Sequence, residues 1–457
     1  MKRICAFFAL LFAVTACRTA QPDVKTSDAP SKPWTPTVTQ NVAIPAVPST
    51  VVATAADSTG PITLARVLDI ALENNPRTRE AWLTARAAEA AVGSEQAAWL
   101  PEVDLDASVA RVKAAGGSSQ TSIGPSLALT YLLFDFGGRD ARVEQARQTL
   151  IASDFLHNQA IQDVILQTQQ AYYQYLDAKA QLAAQSATLS ERKTSLDAAE
   201  ARHNAGVATI ADVLQARTAL SQAQLTYDTI EGNLRAIEGA LATAMGVSPT
   251  TRFEVGELPN DVPANDVSDA IDVLIDAAQR ARPDLAASRA FAERASARIR
   301  EVRSSFLPRV VTSASTGFNI GNGGERSTPY SAAVGLSFPL FTGWRNRYDV
   351  RQAELEAELA REQLRDLSQQ VSLDVWTSYY GLRTARQRLA TSRDLLNSAQ
   401  QSADVARARY REGVGTIVDV LTAQSALETA RAEEVQSRAD WFLSLAQLAH
   451  DTGRLNR

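Results

Sequence analysis

Two aspartates offer the first candidate chemistry. Asp212 and Asp419 hold matching places in a motif that occurs twice, Gly206-Val-Ala-Thr-Ile-Ala-Asp-Val-Leu214 and Gly413-Val-Gly-Thr-Ile-Val-Asp-Val-Leu421, 207 positions apart. Each copy interrupts a long proline-free helical run, and glycine weakens a helix by about 1 kcal/mol relative to alanine. A glycine followed by Thr-Ile-x-Asp reads as one helix ending and the next beginning. A carboxylate there can cap free backbone N–H groups and complement the helix macrodipole. His157, His203 and His450 lie far apart in sequence, and no Cys/His spacing suggests a metal site. The chain contains no nucleophile–base pairing or phosphate loop that would mark an enzyme.

Cys17 offers a second chemistry. Lys2 and Arg3 precede an apolar run from Ile4 to Val14, the layout of a secretory signal peptide over residues 1–16. Such a run is too short to span a bilayer as a stable helix. It ends Val14-Thr-Ala-Cys17, which resembles a bacterial lipobox, with cleavage before a cysteine whose thiol takes a diacylglycerol. An ordinary signal peptide with an incidental cysteine is the alternative. Cleavage there removes Cys5 and leaves one cysteine, so no internal disulfide can form. Arg18 fits sorting to the outer membrane. Residues 17–60 carry prolines at 22, 30, 33, 36, 45 and 48 and read as an extended tether. A segment laid along the body is the alternative for the second half.

The body must position the two turns. Of the 457 residues 45% are hydrophobic but only 6% aromatic, and alanine supplies much of the apolar content, which favours close-packed helices. A net charge of −5 gives no electrostatic case for nucleic acid. Thr63 is a candidate N-cap for a helical stretch to about residue 98, with a break or kink at Pro76. The period then changes to two. Val103, Leu105, Ala107 and Val109 alternate with Glu102, Asp104, Asp106 and Ser108, predicting a hairpin over about 102–134 with one apolar face. Its strands have the length a tilted membrane strand needs. A proline- and glycine-free run of about 65 residues follows, roughly 97 Å as a helix. Then come a tip at about 204–209, a return helix, and a connector at 247–266.

Residues 267–453 repeat residues 63–246. Pro76 matches Pro283, Leu100-Pro101 matches Leu307-Pro308, Tyr172-Tyr173 matches Tyr379-Tyr380 and Gly246 matches Gly453. The second hairpin is expected over about 309–341 and the second tip over about 411–416. Repeats govern the architecture. Two hairpins give four strands, too few to close a transmembrane barrel, so copies must pool them, eight in a dimer or twelve in a trimer.

The duplication, the Leu133-Phe-Asp-Phe-Gly-Gly-Arg139 corner and the paired tips resemble the TolC-like outer-membrane efflux protein family, most closely its lipidated drug-efflux members, over about residues 63–453. The resemblance implies a mainly α fold with β. It implies a homotrimer whose 12-stranded outer-membrane β-barrel continues into a long periplasmic α-helical barrel. It implies a passive exit duct, not an enzyme, docked to a periplasmic adaptor and an inner-membrane pump. No cofactor is expected beyond covalent lipid on Cys17. Exit ducts for type I protein secretion or metal-ion export share the architecture, and a non-channel periplasmic coiled-coil protein is a further alternative. With 2 Met and 3 His, the chain lacks the clusters expected of a metal exporter.

By motif, Asp212 and Tyr410 correspond to partners in a closing hydrogen bond at the periplasmic gate, and Asp419 to a carboxylate ringing the pore. Three such carboxylates around one axis would repel one another and favour cations. Capping alone is the alternative role for both aspartates. Gly206, Gly413 and Gly415 form the turns. Gly415 and Thr422 stand where the best-known gate has an arginine and a second aspartate, so closure is expected to differ in detail.

Overall fold

The structure, a computed structural model, describes residues 26–35, 61–113, 115, 119–251, 253–260, 270–321 and 326–455. The signal peptide, Cys17 and most of the expected tether lie outside them.

Pro76 divides the first helical stretch into α1 (Leu64–Asn74) and α2 (Pro76–Gln96). Pro76 takes the first helical position, where its missing N–H costs nothing, and the Asn75 side chain caps by accepting from Arg77 N at 3.0 Å. Thr63 has extended cap dihedrals but makes no side-chain capping bond. A short 3₁₀ turn, Ala97–Trp99, ends α2. Strands β1 (Glu102–Lys113) and β2 (Ser119–Phe134) lead to α3 (Gly138–Asn204), a 67-residue helix, and α4 (Ile210–Ala244) returns. The second half repeats this as α5 (Ile271–Ala281), α6 (Pro283–Ser304), β3 (Arg309–Gly317), β4 (Asn319–Ile320), β5 (Arg326–Ser327), β6 (Tyr330–Ser337), α7 (Arg345–Arg411) and α8 (Ile417–Asp451). The last strand stops at Ser337, short of the expected residue 341, because Pro339 cannot donate to a ladder.

The expected alternation governs the register. Val103 faces Leu129, Leu105 faces Leu127 and Val109 faces Ile123, while Asp104, Asp106 and Ser108 face Ala128, Ser126 and Gly124. Directly opposed residues share a face, so one side is apolar and the other small or polar. The apolar set lies open: Leu105 is 75% and Val109 71% exposed. β2 pairs with β3 and then β4, β3 pairs with β6 and β4 with β5, so β4 and β5 extend the lines of β3 and β6. The curled sheet therefore has four strand lines, with β1 at one edge and β5 and β6 at the other.

The two strand-to-helix corners match in sequence and differ in structure. Arg139 is buried, with its backbone N–H donating to Asp135 Oδ2 at 2.7 Å and its guanidinium donating to the carbonyls of Ala98 and Leu133. The guanidinium also lies 4.1 Å from the Trp99 ring. Arg345, at the matching corner, is exposed beside exposed Phe341 and Trp344.

Long helix α3 packs on α2, α4, α6 and α8, and α7 packs on α5, α6 and α8. The main core lies at mid-length, where Val67, Tyr172, Leu176, Leu241, Val255 and Val435 meet. Both tyrosine pairs act in helix packing: Tyr173 stacks on Phe442 at 4.9 Å, and Tyr379 packs beside Leu382 and Leu389.

Residues 26–35 do not run free as tether. They lie against α2 and α3, with Trp34 buried among Val92, Leu150 and Phe155. Asn158 clasps the backbone of Trp34, accepting from its N–H at 2.6 Å and donating to its carbonyl at 2.8 Å. Trp82 donates to the carbonyl of Ser27 at 2.8 Å. A large aromatic anchor offsets the ordering cost that proline spacing alone suggests would keep this segment free.

Candidate functional site

The tips are built by paired stop and start signals. Gly206 and Gly413 adopt φ of 75° and 79°, a left-handed conformation that suits glycine. Val207 N donates to Arg202 O and Val414 N to Arg409 O, each at 3.0 Å, closing the orphan carbonyls of α3 and α7. The next helices start with reciprocal capping boxes. Thr209 Oγ1 accepts from Asp212 N while Asp212 Oδ2 accepts from Thr209 N at 2.9 Å. Thr416 and Asp419 repeat the arrangement, with Thr416 N donating to Asp419 Oδ2 at 3.0 Å. Hydrogen bonds from Thr416, backbone first, hold the Asp419 carboxyl below its ordinary value and keep it ionised. It is exposed.

The structure therefore gives both aspartates the capping role. Among the described residues of the chain, Asp212 is engaged by Thr209 and not by Tyr410, whose hydroxyl is buried without a hydrogen-bond partner there. Burial raises the Tyr410 phenol pKa; Arg202 opposes that shift and Asp212 adds to it.

A residue the motif reading missed joins the tips. Arg202 Nη1 donates to Tyr410 O at 3.0 Å, and its guanidinium lies 4.9 Å from the Tyr410 ring centroid. Tyr410, Val213, Ile417 and Val420 pack with Ala199 and Ala216 into a small core beneath the turns. About three turns up α3 from the tip, buried Arg192 donates to Leu421 O, Gln424 Oε1 and Ser425 Oγ and pairs with Glu428 at 3.3 Å. The signal for Arg192 is its place at helical spacing in a buried stripe of otherwise uncharged residues, Gln185, Thr188, Ser195 and Ala199.

Gly415 has a packing reason of its own. A Cβ there would lie 3.1 Å from Arg409 Cβ and 3.2 Å from Tyr410 N, so a larger side chain would need the end of α7 to give way. Beyond the capped turns, Val207, Ile210, Val414 and Val418 are exposed.

Other ionisable groups hold the helices together. His450 sits between Asp163, 2.9 Å from Nε2, and Asp451, 3.1 Å from Nδ1. Burial lowers its pKa, but the two carboxylates outweigh that and push it up to about 9. Asp154 is fully buried, and both carboxyl oxygens lack a partner among the described residues. Burial, then the charge of Glu89, raises it to about 8. No group of His, Cys, Asp and Glu among the described residues is arranged to hold a metal ion.

Residues 67–247 and 274–454 match the family model described as outer membrane efflux protein. The chain is similar to Protein CyaE of Bordetella pertussis, with 29% identity over 414 residues, 88% of this chain and 86% of that protein. It is similar to outer membrane protein TolC of Escherichia coli, with 26% identity over 410 residues, 86% of this chain and 82% of that protein. The solved structure of the outer-membrane channel OprN superimposes with a TM-score of 0.78 at 20% identity, covering 85% of this chain and 89% of that one.

Proposed function

The chain belongs to the outer membrane efflux protein family, and on that premise we propose that it is the exit duct of a tripartite pump, passively passing small-molecule substrates from an inner-membrane transporter and periplasmic adaptor to the cell exterior. It is an outer-membrane protein with a TolC-like fold, and its family is one of channels, not enzymes. The finer reading rests chiefly on one observation: a curled sheet with an open apolar face and two open edges continues into two 67-residue helices, each roughly 100 Å long. A sheet in hydrocarbon must close, and four strands cannot do so alone. Three copies joined edge to edge give a twelve-stranded barrel, and their helices extend the duct into the periplasm. Cys17 carries the lipid in this reading, and Asp212, Tyr410 and Asp419 lie at the periplasmic mouth.

Affinity purification of the tagged chain after cross-linking in cells tests the assignment. A trimer together with an adaptor and an inner-membrane drug transporter is expected. An exporter carrying protein cargo would favour the secretion reading, and a chain with no inner-membrane partner would overturn both.

A further inference from the structure

The face of α2 and α3 that holds residues 26–35 continues past them toward the membrane. Trp82 and Glu89 on α2 contact the strap, and Val92 and Gln96 follow on the same side at helical spacing. On α3 the strap's partners Leu150, His157 and Asn158 share a stripe with Arg147, Glu144 and Asp140. Between Trp34 and the first corner this stripe opens into a cavity of about 460 Å³, which Arg300 of α6 also lines. Val92 and Leu150 belong to both the cavity wall and the Trp34 pocket.

The cavity is lined by polar and charged groups. Arg147 Nε and Gln96 Oε1 are buried without hydrogen-bond partners among the described residues. A buried polar atom left unpaired costs folding free energy, so native proteins usually pair it. Neither Arg147 nor Arg300 forms an ion pair with another described residue. Two carboxylates, Asp140 and Glu144, line the same space. Phe136, which also lines the cavity, is 48% exposed and packs edge-on against Phe134 at the end of β2. The site thus offers cations and anions a few residues below the last strand residue, beside an aromatic lip.

We propose that this cavity binds the headgroup of a phospholipid from the membrane's periplasmic leaflet, with Arg147 and Arg300 on the phosphate and Asp140 and Glu144 on an amine, and so selects phosphatidylethanolamine. The inference rests on the outer-membrane placement and on the reading that the strap leads to the lipid at Cys17, which turns this face outward. Charge-assisted bonds to phosphate are among the strong polar contacts, and a primary amine suits two nearby carboxylates. A quaternary amine, with no N–H to donate, does not.

The test uses full-length, delipidated protein in detergent. Native mass spectrometry reads retention of phosphatidylethanolamine, phosphatidylcholine and phosphatidylglycerol with identical acyl chains. Phosphatidylethanolamine should be retained about tenfold better than phosphatidylcholine, the effect of one good polar contact. The double variant Arg147→Ala/Arg300→Ala should lose about tenfold for every lipid. Asp140→Asn/Glu144→Gln should keep lipid binding and lose the preference for the primary amine. Equal retention of all headgroups by the parent protein would overturn the proposal, as would unaltered binding by the arginine variant. If inorganic phosphate competes as well as a matched lipid, the site is a phosphate site and not a lipid site. The Cys17→Ser protein, run in parallel, should retain lipid normally; loss there would assign the signal to the chain's own anchor. If trimer cross-linking falls in the arginine variant while lipid retention holds, a neighbouring copy fills the cavity and the proposal fails.

Discussion

Arg202 of the first tip grips Tyr410 of the second twice, through the backbone carbonyl at 3.0 Å and through the ring face at 4.9 Å. The matching positions in the repeat are Arg409 and His203, which make no such pair: His203 Nδ1 instead lies 3.1 Å from Ala208 O within its own turn. The duplication therefore gives two similar turns and a single directional tie between them.

Arg202→Ala should loosen that tie. The ring contact and the hydrogen bond together contribute roughly 1–2 kcal/mol, a factor of about five to thirty in population. Open probability in planar bilayers should rise accordingly. An unchanged closed-state lifetime would show that the tie does not restrain the mouth.

Asp419→Asn removes charge while leaving an oxygen able to accept from Thr416 N. Cation preference, read from reversal potentials in a salt gradient, should fall while helix content stays constant. Because the folded-state pKa is lowered, parent selectivity should persist as pH falls into the usual carboxylate range and disappear only below it. Selectivity equal in parent and variant would leave Asp419 with capping alone.

His450 supplies an alkaline signature. Its pKa is raised from 6.5 to about 9, so the stabilisation is fully present below about pH 6.5 and is lost as pH rises through about 9. Thermal midpoints of the parent should decline over that window, and His450→Gln should flatten that part of the profile. The same slope in both proteins would assign it to other groups.

Asp154 has the opposite effect. As a buried acid raised from 3.8 to about 8, it imposes no penalty below about pH 4. The penalty grows up to about pH 8 and is constant above. Asp154→Asn should therefore be more stable than the parent at pH 7.5, by up to a few kcal/mol, and equal to or less stable than it at pH 4. A variant destabilised at both values would point to an unseen partner for the carboxylate.

Cys17→Ser should abolish incorporation of labelled fatty acid and the matching mass increment, while the strands still hold the protein in the outer membrane. Continued acylation would place the lipid elsewhere.

Local sequence determined the parts that depend on near neighbours. The period of two in Val103, Leu105 and Val109, the breaks at Pro76, Gly206 and Gly413, and the spacing Thr209-x-x-Asp212 each act within a few residues, so strand, helix and capping box follow from them. The repeat then set the helix lengths and, with four strands, the need for more than one copy. Tertiary packing decided what those rules treat as equivalent. Arg139 is buried under Trp99 while its counterpart Arg345 lies open. Tyr410 meets Arg202 and not Asp212, and Trp34 finds a pocket among residues more than fifty positions away. A repeat carries its backbone geometry with it, but each copy has different neighbours. Burial and polar pairing are properties of those neighbours, which is why two nearly identical motifs became one clamp and one partner.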